Sequence, residues 1–107
     1  MADKSPRRRM LEQSLADDPA DTFLRYGLAL QCLRDGDVEE GRARLTALIA
    51  DHPDEVAAYQ QLGQSYADTG ESAPAAEALR AGIARARAKG DAHAAAEMEG
   101  ILLTLGG

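Results

Sequence analysis

The stretch VAAYQQLGQSYADTGESAPAAEALRAGIARARAK, residues 56–89, decides how this chain folds. Tyr59, Leu62, Gly63 and Tyr66 fall at helical spacing, Thr69-Gly70-Glu71 breaks the pattern, and Ala75 and Leu79 open a second helix. The same order occurs one step earlier, with a period of 34 residues. Leu11, Leu45 and Leu79 recur at that spacing, as do Leu15, Ile49 and Ile83, and Ala16, Ala50 and Ala84. Pro19 pairs with Pro53, Asp17 with Asp51, Leu28 with Leu62, Gly36 with Gly70, and Asp37 with Glu71. A sustained period in this range signals stacked helical hairpins.

Composition agrees. The 107 residues are 45% hydrophobic and 28% charged, ordinary for one globular domain. Alanine, a strong helix former, is abundant, and valine occurs only at Val38 and Val56. The fold class expected is all-α. Close stacking needs small residues where backbones approach: Ala29 with Gly41 in one hairpin, Gly63 with Ala75 in the next. A glycine inside a helix costs about 1 kcal/mol relative to alanine, and close packing is a reason to tolerate it at Gly41.

Residues 56–89 resemble a tetratricopeptide repeat: Tyr59, Leu62-Gly63, Tyr66, then Ala75 and Leu79, with Arg87 where the closing proline belongs. Residues 22–55 match less closely: Arg25, Leu28-Ala29, Cys32, Gly41 and Leu45, closing on Pro53. Arg25 replaces the usual aromatic, and Phe23 or Tyr26 is expected to supply its bulk. The resemblance implies a right-handed α-solenoid of antiparallel hairpins, one domain over residues 1–107. Its parts would be a leading half-repeat helix over 5–19, repeats over 22–55 and 56–89, and a capping helix over 91–105.

Caps and breakers bound the helices. The first begins after Ser5 with Pro6 in its opening turn and runs to about Ala16; the second spans Asp21 to Arg34. The third starts at Asp37 and ends at Ala50, and the fourth covers Asp54 to Asp68. Ser72 is expected to cap the fifth, with Pro74 in its first turn, and Gly90 to stop it. Asp91 caps a sixth that presents Met98, Ile101, Leu102 and Leu105 on one face.

In the family the first helix of each hairpin lines a concave groove where ligands usually bind. Carried over by position, the lining is Phe23, Tyr26, Leu30, Leu33 and Arg34 from one hairpin and Gln60, Gln64, Ala67 and Asp68 from the next. Gln60 and Gln64 can hydrogen-bond a peptide backbone. Two readings stand for Phe23, Leu30 and Leu33: groove lining, or core covered by the first helix. The family's carboxylate clamp for chaperone tails is not expected, because Tyr26, Leu30, Gln61, Ala92 and Ala96 stand where its Lys, Asn and Arg would be.

No catalytic, metal or cofactor site is expected. His52 with Asp51, Asp54 and Glu55 reads as a turn beside a helix cap, and His93 sits among alanines. Cys32 occupies a core position as an inert thiol. A single cysteine fits a reducing, cytoplasmic setting. No apolar run approaches the roughly 20 residues that span a bilayer. The net charge of −6 disfavours nucleic acid. The function expected is a scaffold holding a peptide or helix of a partner protein in the groove. The alternative is a structural subunit that assembles with itself through half-repeat ends, as a homo-oligomer. A weaker third is an anionic partner held by Arg7, Arg8, Arg9 and the stretch from Arg80 to Lys89.

Overall fold

The computed structural model describes residues 4–106; Met1 to Asp3 and Gly107 lie outside the described residues. Among the described residues there are six helices and no strand: α1 (Pro6–Asp17), α2 (Thr22–Arg34), α3 (Val38–Asp51), α4 (Val56–Asp68), α5 (Ser72–Ala88) and α6 (Ala92–Leu103). Capping sets four of the starts. Ser5, Asp21, Asp37 and Asp91 accept from the backbone N–H of Arg8, Leu24, Glu40 and Ala94 at 3.2, 2.9, 3.4 and 3.0 Å. These N–H groups have no partner inside the helix.

Ser72 does not cap α5, contrary to expectation. It is the first helical residue, and Glu71 holds the cap position without capping. The Glu71 carboxylate is engaged instead by Thr69 Oγ1 and Arg42 Nη1.

Three turns share one geometry. Gly36, Gly70 and Gly90 have φ of +86°, +75° and +74°, the left-handed region open to glycine. The next N–H, of Asp37, Glu71 or Asp91, donates to the carbonyl of Cys32, Tyr66 or Ala86 at 2.9, 2.9 and 2.8 Å, a Schellman closure. The α1–α2 and α3–α4 links carry Pro19 and Pro53 instead. Where a third proline would stand there is Arg87, so α5 runs on to Ala88 and Gly90 makes the turn. The cap positions Asp21 and Glu55 are 34 residues apart, but Glu55 and Asp91 are 36. The last helix is therefore displaced by two residues from the register of the repeat.

The helices form two layers of an all-α solenoid. Each packs on the next in sequence; α2 also lies against α4 and α4 against α6, whereas among the described residues the backbones of the outer helices (α1, α3, α5) stay farther apart, with α1 reaching α3 only through side chains such as Arg8. The row bends toward its inner side for that reason. Leu45 and Leu79, one period apart, are both 0% exposed, each side chain contributing about 1.5–3 kcal/mol by burial. Leu11 is only half-buried, since α2 is the one helix whose backbone comes close to α1 among the described residues. Ile49 packs against both core clusters and joins them.

Glycines mark where helices come closest. A Cβ on Gly41 would lie 2.6 Å from Leu33 Cδ2 and 3.1 Å from the Ala29 carbonyl oxygen. One on Gly63 would lie 2.6 Å from Leu79 Cγ and 3.4 Å from the Ala75 carbonyl oxygen. The expected small pairs are thus neighbours across each hairpin. Gly82 is a third such place: its Cβ would meet Met98 Sδ and Tyr59 Cβ, both at 2.6 Å. Gly100, also helical, has nothing within 4 Å. Gly82→Ala is expected to lose about 1–2 kcal/mol, because overpacking outweighs the gain in helix propensity. Gly100→Ala is expected to gain up to about 1 kcal/mol. Urea unfolding of the two variants checks the opposite signs.

Two arginines one period apart close the seams between hairpins. Arg8 is 2% exposed, not part of an exposed basic start as its neighbours suggested. Its Nη2 donates to Asp37 Oδ2 at 3.0 Å and Glu40 Oε1 at 2.8 Å. Its buried Nε has no hydrogen-bond acceptor and faces Glu12 Oε2 at 3.8 Å. Beside it, Ser5 Oγ and Gln31 Nε2 donate to Asp35 at 2.9 and 3.0 Å. Arg42 repeats the reach. Its Nη2 donates to the Ser65 carbonyl at 2.7 Å and to Thr69 Oγ1 at 2.8 Å, and its Nη1 pairs with Glu71 at 3.1 Å. Its guanidinium also lies 4.2 Å from the centre of the Tyr66 ring, a favourable cation–π contact. Each arginine thus leaves one outer helix and binds the cap acid of the next.

The carboxylates at the first seam are acidified. Arg8 holds Asp37 below the usual range, Arg44 and then Arg8 do so for Glu40, and Gln31 and Ser5 lower Asp35. Each has a lower pKa folded than unfolded. Its contribution to stability is therefore complete above the unfolded value of about 4 and is lost as pH falls through the folded value. The urea midpoint is expected to stay level down to about pH 5 and to drop below about pH 4. Arg8→Met is expected to flatten that drop. Circular dichroism at each pH measures both.

Candidate functional site

The inner side carries two hollows that meet at Gln64. The first, about 290 Å³, is lined by Leu30, Leu33 and Arg34 of α2, Val38 of α3, and Gln61, Gln64, Ser65, Asp68 and Thr69 around the end of α4. The second, about 440 Å³, lies between α4 and α6, with Gln60, Gln64, Glu97, Gly100, Ile101 and Thr104. Five of the residues expected in the groove share the first hollow: Leu30, Leu33, Arg34, Gln64 and Asp68. Gln60 belongs to the second. Phe23, Tyr26 and Ala67 line neither.

Their positions differ for physical reasons. Phe23 is 82% exposed, so α1 does not cover it and the core reading is excluded. Tyr26, not Phe23, adds bulk to the core: it packs against Ala29, Leu45, Leu48 and Ala58. Burial pushes its hydroxyl pKa up, and Gln61 beside it pulls the other way. Leu33 reaches the same cluster from the groove wall, which places it in both roles. Gln64 Nε2 donates to Asp68 Oδ1 at 2.7 Å, and no hydrogen bond to the Gln64 carbonyl oxygen is present among the described residues. Arg34 is exposed and forms no ion pair among the described residues.

Sequence reasoning missed Val38, Gln61, Ser65 and Thr69. Gln61, Ser65 and Thr69 follow one another at four-residue steps, beside the stripe of Gln60, Gln64 and Asp68, and that doubling was the available signal. Two of the acids around His52 are used by arginines: Arg25 pairs with Asp51 at 2.9 Å and Arg85 with Asp54 at 3.5 Å. Among the described residues no three His, Cys, Asp or Glu side chains gather as a metal site. Nor is any helix among them long and apolar enough to cross a membrane.

Paired helices in two layers match known proteins. Residues 8–62 fit the family model of the tetratricopeptide repeat. The chain belongs to the tetratricopeptide repeat family. A TPR repeat-containing protein of Pseudomonas aeruginosa is 33% identical over 88 residues, covering 82% of this chain and 84% of the relative. The solution structure of a tetratricopeptide repeat domain protein from Salinibacter ruber superposes with a TM-score of 0.77 at 30% identity, covering 82% of this chain and 89% of that one. Protein BPP2914 of Bordetella parapertussis shares the fold at a TM-score of 0.83 and 24% identity, over 95% of this chain and 89% of that one. Tetratricopeptide repeats are protein–protein interaction modules and typically non-catalytic scaffolds.

In this repeat protein Cys32 sits under the first seam, 0% exposed, with Sγ 3.5 Å from Glu40 Oε2. Burial, and after it the charge of Glu40, pushes the thiol up to about 11. At pH 8 only about 0.1% is thiolate, the reactive form. Iodoacetamide at pH 8 is expected to modify folded Cys32 at least about 100-fold more slowly than urea-unfolded Cys32. Mass spectrometry over time reads the ratio.

Proposed function

We propose that this chain is an adaptor that holds a peptide or helix of a partner protein along its inner groove. One observation carries the reading. Leu30, Leu33 and Val38 meet Arg34, Gln64 and Asp68 in one hollow between adjacent inner helices. Apolar side chains supply a patch worth covering, and a few polar groups set the ligand's orientation. The free Gln64 carbonyl oxygen suits a backbone N–H, and Arg34 suits an acid on the ligand. Phe23 extends the apolar surface beyond the hollow. A reducing cytoplasmic setting suits the unpaired thiol of Cys32.

Co-purification from native lysate, read by mass spectrometry, tests this. Leu30→Glu with Gln64→Ala is expected to release a partner that the wild type retains. Retention of every partner by that variant would remove the groove assignment. Both side chains are half-buried on the inner face, so circular dichroism is recorded alongside to show that the variant is folded.

A further inference from the structure

A larger hollow lies outside the groove, between the beginning of α5 and the end of α6. It measures about 680 Å³, and Ala76, Leu102, Leu103 and Leu105 form much of its wall. Leu103 is 83% exposed, a large apolar side chain left in water. Ala76 follows Arg42 by the same 34 residues that separate Arg42 from Arg8. Where two earlier outer helices place a guanidinium against the next seam, α5 places a methyl group. The result is an apolar surface at the position where Arg8 and Arg42 put guanidinium groups.

The charges at this hollow are self-complementary. Arg80 of α5 and Glu99 of α6 both line it. Arg80 forms no ion pair among the described residues, and Glu99 reaches only to exposed Arg87. A two-fold axis requires one surface to match itself, residue i meeting j and j meeting i. One cation and one anion on the two helices of an apolar hollow meet that condition twice. The outward face of α1 matches it poorly. There α1 exposes Arg7, Arg9 and Gln13, with Met10 at 58% its one large exposed apolar side chain. A contact between these two unlike faces would also propagate without closing.

We propose that this hollow is the interface of a two-fold homodimer. Leu103 of each copy enters the hollow of the other, and Arg80 of each copy pairs with Glu99 of the other. This stands apart from the groove reading and does not depend on it.

Light scattering and sedimentation equilibrium from about 10 μM to about 1 mM test it, a range that brackets weak to moderate association. The mass is expected to rise from 11.4 kDa to twice that value and level off. Leu103→Glu, at an exposed site, is expected to raise the dissociation constant at least about 30-fold while circular dichroism stays native. Arg80→Glu is expected to weaken the dimer about tenfold, and adding Glu99→Arg to restore it to within about threefold. Phe23→Glu is expected to leave it intact. A monomer throughout the range overturns the proposal, as does a mass that grows past two copies. So does a dimer indifferent to Leu103→Glu, or one lost only with Phe23→Glu.

Discussion

A guanidinium buried between helices must find carboxylates or carbonyls, because an unpaired charge in an apolar setting is strongly unfavourable. Buried Arg8 meets that demand with two carboxylates, and half-buried Arg42 makes the corresponding reach to a carbonyl, a hydroxyl and a carboxylate. Each can do so only if the cap of the next outer helix stands at one distance and one angle. The two arginines therefore set how each hairpin leans on its successor. They also account for the three buried polar residues of the chain's described part: Arg8 itself, Gln31 beside the first clamp and Ser65 within the second. Specificity of register is the role such buried polar groups serve best.

Between the seams, the separation of helices is set by what lacks a side chain. Gly41, Gly63 and Gly82 admit Leu33, Leu79, Met98 and Tyr59 closer than any Cβ would allow. The backbones of the inner helices come closer to one another than those of the outer ones, and hollows lie along the inner face on either side of Gln64. The groove is a product of that curvature. Leu33 shows the link: one face of its side chain fills the space over Gly41 and another lines the groove.

Much of this was legible in residues one period apart. Leu45 and Leu79 share one environment, Gly36 and Gly70 share one turn, and the helix starts at Ser5, Asp21, Asp37 and Asp91 hold. Leu30, Leu33, Arg34, Gln64 and Asp68 were placed in the groove by position and do line one hollow. Two readings went otherwise, and one open alternative closed. Arg8 sat among Arg7 and Arg9 as surface, although its counterpart Arg42 lay one period on. Phe23 was open between core and groove and is exposed, because α1 passes it by. Glu71 rather than Ser72 stands at the start of α5, since its acid is drawn into the Arg42 clamp.

The sequence by itself determined the helices, their turns, the repeat and the family, for these follow from local spacing, caps, glycines and prolines along one chain. Only the tertiary structure decided which side chains meet across helices. Burial of Arg8, exposure of Phe23, the pairing of Gln64 with Asp68 and the apolar hollow beside Leu103 all depend on angles between helices. Those angles come from many weak contacts at once, and no single stretch of residues encodes them.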